Sequence, residues 1–111
     1  MTLARALAVP LAVPLIDGPV ILPPGAPTIG TATPGTASAS VTFTAPANNG
    51  GSPIVNYRVT STPGGITATG SASPITVTGL TAAVAYTFTV AAQNAAGFGP
   101  GSAASNSVTP V

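Results

Sequence analysis

The side chains that perform most enzyme chemistry are almost absent from this chain. Among its 111 residues only Arg5, Asp17 and Arg58 are charged, and His, Cys, Lys and Glu do not occur. One carboxylate side chain cannot form the acid–base pair of a glycosidase, and a Ser or Thr nucleophile has no His or Lys to activate it. A metal ion would also lack its usual ligands. We therefore predict that the chain is not an enzyme and that it holds no metal or cofactor.

A glycine-rich segment, Asn48-Asn49-Gly50-Gly51, raises the question of a phosphate-binding loop. The Lys and the helix start that follow such a loop in P-loop proteins are missing. Asn and Gly are also the residues that most readily supply the positive φ angles of tight turns. We interpret the segment as a turn between two strands, and Pro63-Gly64-Gly65 in the same way.

Phe98 lies between Gly97 and Gly99 in a segment that predicts a loop. An exposed aromatic residue there could anchor a ligand or a neighbouring subunit, but a partly packed loop aromatic explains it equally well. Arg58 is expected to be solvated or lightly hydrogen-bonded, or else to pair with Asp17.

The net charge of +1 limits the kinds of partner. Nucleic-acid binding needs several Lys or Arg residues on the phosphates, so we expect no nucleic acid. A near-zero net charge favours association over repulsion between copies, which suits a protein that works within an assembly. A β-sandwich lineage rich in Thr and Ser would give the same composition, and both explanations stay open.

Alternation of apolar and polar residues indicates the elements that position these groups. Val41 and Phe43 alternate with hydroxyl residues, and Phe88 and Val90 do the same, which is the pattern of half-buried strands. Turn residues separate such runs, and this favours several short antiparallel strands over βαβ units. The predicted strands cover residues 28–33, 39–45, 54–61, 66–69, 75–78, 85–93 and 103–109.

Between Pro24 and Pro110 the chain carries spaced landmarks, among them Val41-Thr42-Phe43-Thr44, Tyr57-Arg58-Val59, Gly79-Leu80, Tyr86-Thr87-Phe88-Thr89-Val90 and Asn94-Ala95-Ala96-Gly97. Together they resemble a fibronectin type III domain of the bacterial and phage kind. The resemblance implies an all-β, seven-stranded antiparallel Greek-key sandwich of the fibronectin type III or immunoglobulin-like kind over residues 24–111. Phe43 stands where the family usually has Trp, and the Arg-Gly-Asp tripeptide of integrin-binding relatives is absent.

The apolar positions of these strands give the expected core. Tyr86, six residues after Leu80, matches the tyrosine corner of Greek-key sandwiches. In that motif the ring is buried and the hydroxyl bonds to backbone a few residues upstream. The predicted structural core comprises Val41, Phe43, Tyr57, Val59, Leu80, Tyr86, Phe88 and Val90, with Ile29, Ile54, Ile75, Val77 and Val108 also facing inward.

Residues 1–23 are apolar and rich in proline, with the tandem repeat Leu7-Ala8-Val9-Pro10, Leu11-Ala12-Val13-Pro14. The prolines and the absence of a small-residue cleavage site argue against a secretory signal, and the apolar run is too short for a membrane span. Prolines at this spacing favour extended chain. We predict an anchoring arm over residues 1–23 that adds a strand to a neighbouring subunit, with a short strand of the chain's own sandwich as the alternative. The predicted assembly residues are Leu7, Val9, Leu11, Val13, Leu15, Ile16, Val20, Ile21 and Leu22.

These expectations combine into a non-enzymatic structural protein whose arm joins protein subunits of a larger assembly. A phage virion surface fits them best, with the chain as a capsid decoration, head-fibre or tail-associated component, and family likeness adds weak binding of a cell-surface glycan. One alternative is a subunit of an extracellular bacterial or archaeal filament assembled by strand addition. Another is a secreted adhesion or carbohydrate-binding accessory module at the cell surface.

Overall fold

The structure, a computed structural model, describes residues 20–111. Asp17 and the predicted arm residues Leu7, Val9, Leu11, Val13, Leu15 and Ile16 therefore lie outside the described residues. The described part of the chain forms seven strands: β1 (Thr28–Gly35), β2 (Ser38–Thr44), β3 (Asn56–Thr62), β4 (Thr67–Gly70), β5 (Ile75–Thr78), β6 (Thr87–Asn94) and β7 (Gly97–Phe98).

The strands form two antiparallel sheets, one of order β1-β2-β5 and the other of order β4-β3-β6-β7. Along β6 every second residue is buried and the residues between them are half-exposed, which is the period of a strand with one face on a core. The predicted all-β sandwich is confirmed. Residues 20–111 contain no helix, and so none that is long and apolar enough to cross a membrane.

The core lies between the two sheets. Phe43 of one sheet packs its ring on Tyr57 of the other, with 4.6 Å between the ring centroids. Ile29 and Ile54 are only partly buried and pack against the edge of the core. The side chains predicted for the core are all buried: Val41, Phe43, Tyr57, Val59, Leu80, Tyr86, Phe88 and Val90.

Tyr86 forms the predicted tyrosine corner. Its ring is buried, and its hydroxyl oxygen accepts a hydrogen bond of 2.9 Å from the backbone amide of Thr81, five residues upstream. The Thr81 amide lies in the segment between β5 and β6, where it has no strand partner. The Tyr86 hydroxyl supplies the acceptor that this part-buried backbone donor needs.

Replacing Tyr86 with Phe should lower the free energy of unfolding by about 1–3 kcal/mol, because the Thr81 amide loses its acceptor in a part-buried position. Chemical denaturation of the wild type and of Tyr86→Phe measures this difference. A change near zero would contradict the structural role of this hydroxyl.

The last predicted strand, 103–109, is not a regular strand, and the seventh strand is instead β7, which contains Phe98 where the sequence predicted a loop. The amides of Ser102 and Ser105 donate to the carbonyls of Val90 and Phe88, and a single isolated bridge follows at Val108. The residues of this segment that contact β6 and Tyr86 are therefore three positions apart, whereas the residues they contact are two positions apart. The Ser102 and Ser105 hydroxyls accept hydrogen bonds from the Val90 and Phe88 amides, both 3.0 Å long. Because the two spacings differ, the backbone of this segment offers no carbonyl to these two amides, and the serine hydroxyls accept from them instead.

Asn106 links this C-terminal segment to the other sheet. Its side-chain amide nitrogen donates to the Ala32 carbonyl at 3.0 Å, and its Oδ1 accepts from the Ala32 amide at 2.9 Å. Ala32 follows an irregularity in the β1–β2 register. The side chain of Asn106 therefore satisfies both backbone groups of a residue where the regular pairing is shifted.

Candidate functional site

The candidate site is one end of the sandwich, here named the N-terminal pole, which comprises residues 20–25, 45–55 and 94–99. The Leu22 amide donates to the Gly50 carbonyl at 3.0 Å, and the Gly25 amide donates to the Asn48 carbonyl at 2.9 Å. The sequence predicts the domain boundary between residues 23 and 24. The backbone of Leu22 already binds to the sandwich, although residues 20–27 form no strand.

Asn94 holds the N-terminal pole together. Its side chain is 3% exposed, and its Nδ2 donates to the carbonyls of Leu22 and Asn49, both at 2.7 Å. Its Oδ1 accepts from the Ala96 amide at 2.8 Å. One side chain at the end of β6 therefore fixes the entering chain, the β2–β3 loop and the β6–β7 turn, with both amide hydrogens used.

Two glycines let the entering chain lie close to these loops. A Cβ atom on Gly50 would overlap the Leu22 carbonyl, and a Cβ atom on Gly99 would overlap the Pro24 carbonyl. Gly50 also has a φ of +76°, which favours glycine. Pro24 is buried in this arrangement. The backbone of residues 22–24 thus runs between two loops, and each loop can approach it this closely only because a glycine lies at the contact.

The side chains just before this segment and at its start are exposed to solvent. Val20 is 60% exposed, Ile21 42% and Leu22 59%. Val55, just before β3, is 62% exposed at the same pole. Three of the predicted assembly residues therefore have solvent-accessible side chains, and the backbone of the last of them, Leu22, is hydrogen-bonded to the sandwich.

The segment Asn48-Asn49-Gly50-Gly51 is a turn, as predicted. Asn48 Oδ1 accepts from the Gly50 amide at 2.8 Å, and Asn49 Oδ1 accepts from the Gly51 amide at 2.9 Å. Only the two glycines have positive φ angles, so the prediction that Asn also supplies them was wrong. The Asn side chains instead cap the turn, which is their other common role.

Phe98 and Arg58 lie together on the outer face of the four-stranded sheet. The Arg58 guanidinium carbon is 4.2 Å from the centroid of the half-buried Phe98 ring. Arg58 faces Ala91 on β6, and Phe98 faces Gln93 two residues further along. Because Ala91 is small, the arginine side chain can cross β6 to reach the ring. The guanidinium covers one face of Phe98, which leaves less of that ring for a ligand.

Replacing Arg58 with Gln should destabilise the domain by about 0.5–1 kcal/mol, the usual value of an exposed cation–π pair. Arg58→Lys keeps the positive charge and serves as the control. The difference should vanish in a Phe98→Leu background, because the ring is then absent. An unchanged difference in that background would show that Arg58 acts through other contacts.

Neither a pocket nor a metal-binding cluster of His, Cys, Asp or Glu side chains is found in the described part of the chain, residues 20–111. Arg58 is the one charged side chain among them. The arrangement at the N-terminal pole is thus suited to positioning a polypeptide and exposing apolar side chains.

Comparison with known families agrees with this geometry. The model of the fibronectin type III domain matches residues 23–108. The chain belongs to the fibronectin type III family. Domains of this family are typically non-catalytic modules with structural or adhesive roles. A comparison with curated protein sequences finds no match.

Solved fibronectin type III structures are similar to this domain. Human cardiac titin module A71 is 32% identical, with a TM-score of 0.60 over 81% of this chain and 92% of that one. Titin domains A168–A170 are 28% identical, with a TM-score of 0.71 over 80% of this chain and 33% of that one. The twitchin kinase region of C. elegans is 23% identical, with a TM-score of 0.71 over 79% of this chain and 17% of that one. The domain thus spans a third or less of these last two chains.

The residue that organises the N-terminal pole was not predicted from the sequence. Asn94 belongs to the family landmark Asn94-Ala95-Ala96-Gly97, but the landmark by itself assigns it no role. The signal that could have found it is its inward parity: it follows Phe88, Val90 and Ala92 at period two, which puts a polar side chain at a core-facing position. A buried Asn needs partners, and the chain segments that supply them are far away in sequence.

Proposed function

We propose that this fibronectin type III domain is a non-enzymatic display module of a phage virion surface, held in the particle by its N-terminal residues. It would serve there as a capsid decoration, head-fibre or tail-associated component. The observation that carries the proposal is the contrast at the N-terminal pole. The backbone of residues 22–24 is fixed to the sandwich, whereas the side chains of Val20, Ile21 and Leu22 are exposed.

The sequence before this pole supports an anchoring role. Residues 6–16 are apolar and proline-rich, and only Asp17, Gly18 and Pro19 separate them from the exposed residues 20–22. A fully extended stretch of 19 residues reaches at most about 65 Å. A connection at Leu22, whose backbone is hydrogen-bonded to the sandwich, would fix the point at which the anchoring residues join the domain.

The surface of the domain also suits dense packing in an assembly. Arg58 is its single charged side chain among the described residues, and its guanidinium lies over Phe98. Neighbouring copies would therefore meet with little electrostatic repulsion. A charge-poor surface favours a crowded particle over a dilute monomer.

Deleting residues 1–19 is expected to release a monomeric, folded sandwich, while the full-length chain associates into a large particle. This truncation keeps Leu22, whose carbonyl binds Asn94, and so leaves the described domain complete. Light scattering gives the mass of each species, and thermal unfolding checks that the sandwich remains intact. Mass spectrometry of gradient-purified virions from the source culture tests for the chain on the particle.

A double replacement, Ile21→Ser and Leu22→Ser, is the matched variant. It keeps the Leu22 backbone hydrogen bonds but removes exposed apolar surface, so association should weaken without loss of stability. A full-length chain that is monomeric and absent from the purified virions would contradict the anchoring proposal. Long polymers in electron micrographs would favour the filament alternative over the virion.

A further inference from the structure

We propose that Asn49 is a site of spontaneous deamidation and that the side chain of Asn48 limits its rate. Asn49 is exposed and is followed by Gly50. Asn is chemically labile, and a following glycine leaves the attacking backbone nitrogen unshielded because it has no Cβ. Asn49-Gly50 is the one Asn-Gly pair in the sequence.

The reaction needs only water. The Gly50 backbone nitrogen attacks the Asn49 side-chain carbonyl carbon, a new C–N bond forms, and the side-chain nitrogen leaves as ammonia with the proton from Gly50. The product is a five-membered succinimide. Water then opens one of its two C–N bonds, which gives aspartate if the side-chain bond breaks and isoaspartate if the main-chain bond breaks.

The folded turn holds both reacting groups in other contacts. The Gly50 N–H, which must lose its proton, donates to Asn48 Oδ1 at 2.8 Å. The Asn49 carboxamide is fixed by its own acceptor contact, 2.9 Å from the Gly51 amide. Attack requires the Gly50 hydrogen bond to open first. The Asn48 side chain therefore slows the reaction of its neighbour, because an ordinary hydrogen bond must be broken.

No other Asn residue is followed by glycine, so each of them should deamidate more slowly. Asn94 and Asn106 are followed by Ala95 and Ser107, whose side chains crowd the nitrogen. Both of their carboxamides are also held by two or more hydrogen bonds. Asn49 should react first.

Isoaspartate at residue 49 would disturb the N-terminal pole. It routes the main chain through the former side chain of Asn49, which adds a methylene group before Gly50, whose carbonyl accepts from Leu22. The Asn49 main-chain carbonyl, which accepts from Asn94, becomes a carboxylate that is no longer bonded to Gly50. This carboxylate lies at a pole that has no charged side chain among its described residues. The modification should loosen Leu22, and this consequence for anchoring, unlike the reaction itself, rests on the proposed function.

The test is to age the full-length protein at mildly alkaline pH and to map its peptides by chromatography and mass spectrometry. The first product should be aspartate and isoaspartate at residue 49, each heavier than Asn by the exchange of an amide NH2 for a hydroxyl. Asn48→Ala should react about two- to tenfold faster, the equivalent of one lost hydrogen bond. Asn48→Asp keeps an acceptor for the Gly50 amide and should remain near the wild-type rate.

Unfolded wild-type protein in urea provides a second comparison that depends on no variant. Its Asn49 should react faster than in the folded protein by at least the factor seen for Asn48→Ala. Earlier modification of Asn94 or Asn106 would overturn the site, and equal rates in folded and unfolded protein would overturn the protective role of Asn48. Hydrogen exchange at the Leu22 amide should rise in the isoaspartate fraction. These readouts are chemical and do not depend on whether the chain assembles.

Discussion

Replacing Asn94 with Asp should lower the free energy of unfolding by about 3–5 kcal/mol at neutral pH, although the two side chains have nearly the same shape. Asn94 donates to the carbonyls of Leu22 and Asn49 at 2.7 Å each. The ionised carboxylate of the variant has no hydrogen to donate, and its negative charge would face two carbonyl oxygens in a buried position. Denaturant unfolding of the wild type and of Asn94→Asp measures the loss.

The loss should depend on pH in a defined direction. Burial and the two carbonyls disfavour the charged form, so the pKa of the introduced carboxyl group in the folded variant should lie above its unfolded value of about 3.9. A raised folded-state pKa means that stability is retained below the unfolded pKa and lost as pH rises through the folded pKa. Wild-type stability should stay nearly flat across this range, because the sequence contains one carboxylate side chain and no His.

Asn94→Ala is the control for this experiment. It removes the same two donors without adding a charge, so the free energy of unfolding that it loses should not change with pH. If Asn94→Asp shows the same flat profile as Asn94→Ala, the carboxylate does not face the carbonyls, and the role given to Asn94 at the N-terminal pole is wrong.

Replacing Gly50 with Ala should destabilise the domain by about 3 kcal/mol, from backbone strain together with lost hydrogen bonds. Gly50 has a φ of +76°, and an added Cβ would overlap the Leu22 carbonyl. The overlap can be relieved only if Leu22 moves away, which breaks its hydrogen bonds to Gly50 and Asn94. Hydrogen exchange at the Leu22 and Gly25 amides should rise accordingly.

Substitutions at two other glycines distinguish backbone strain from the loss of the Leu22 hydrogen bonds. Gly65 has a φ of +60° but open space around a Cβ, so Gly65→Ala should cost only the strain, about 1–2 kcal/mol. Gly99 has no positive φ but would overlap the Pro24 carbonyl, so Gly99→Ala should release the entering chain without strain. If Gly65→Ala costs as much as Gly50→Ala, the close approach of Leu22 contributes nothing measurable.

Strand positions and the core could be predicted from the sequence because they depend on local alternation. In β2, Val41 and Phe43 face inward at period two, and β5 spans residues 75–78 as predicted. The C-terminal segment was predicted at the right place but with the wrong conformation. Period-two alternation cannot show that Ser102 and Ser105 contact β6 at intervals of three residues, since their partners lie on another strand.

The sequence by itself determined the fold class, the core and the small number of charged and nucleophilic side chains, because these follow from composition and from patterns within a few residues. Only the tertiary structure decided the N-terminal pole. Asn94 binds Leu22 and Asn49, which are 72 and 45 residues away along the chain. Contacts over such distances leave no periodic trace in the sequence, and they form only because the two sheets bring the ends of β2, β3 and β6 to the same end of the sandwich.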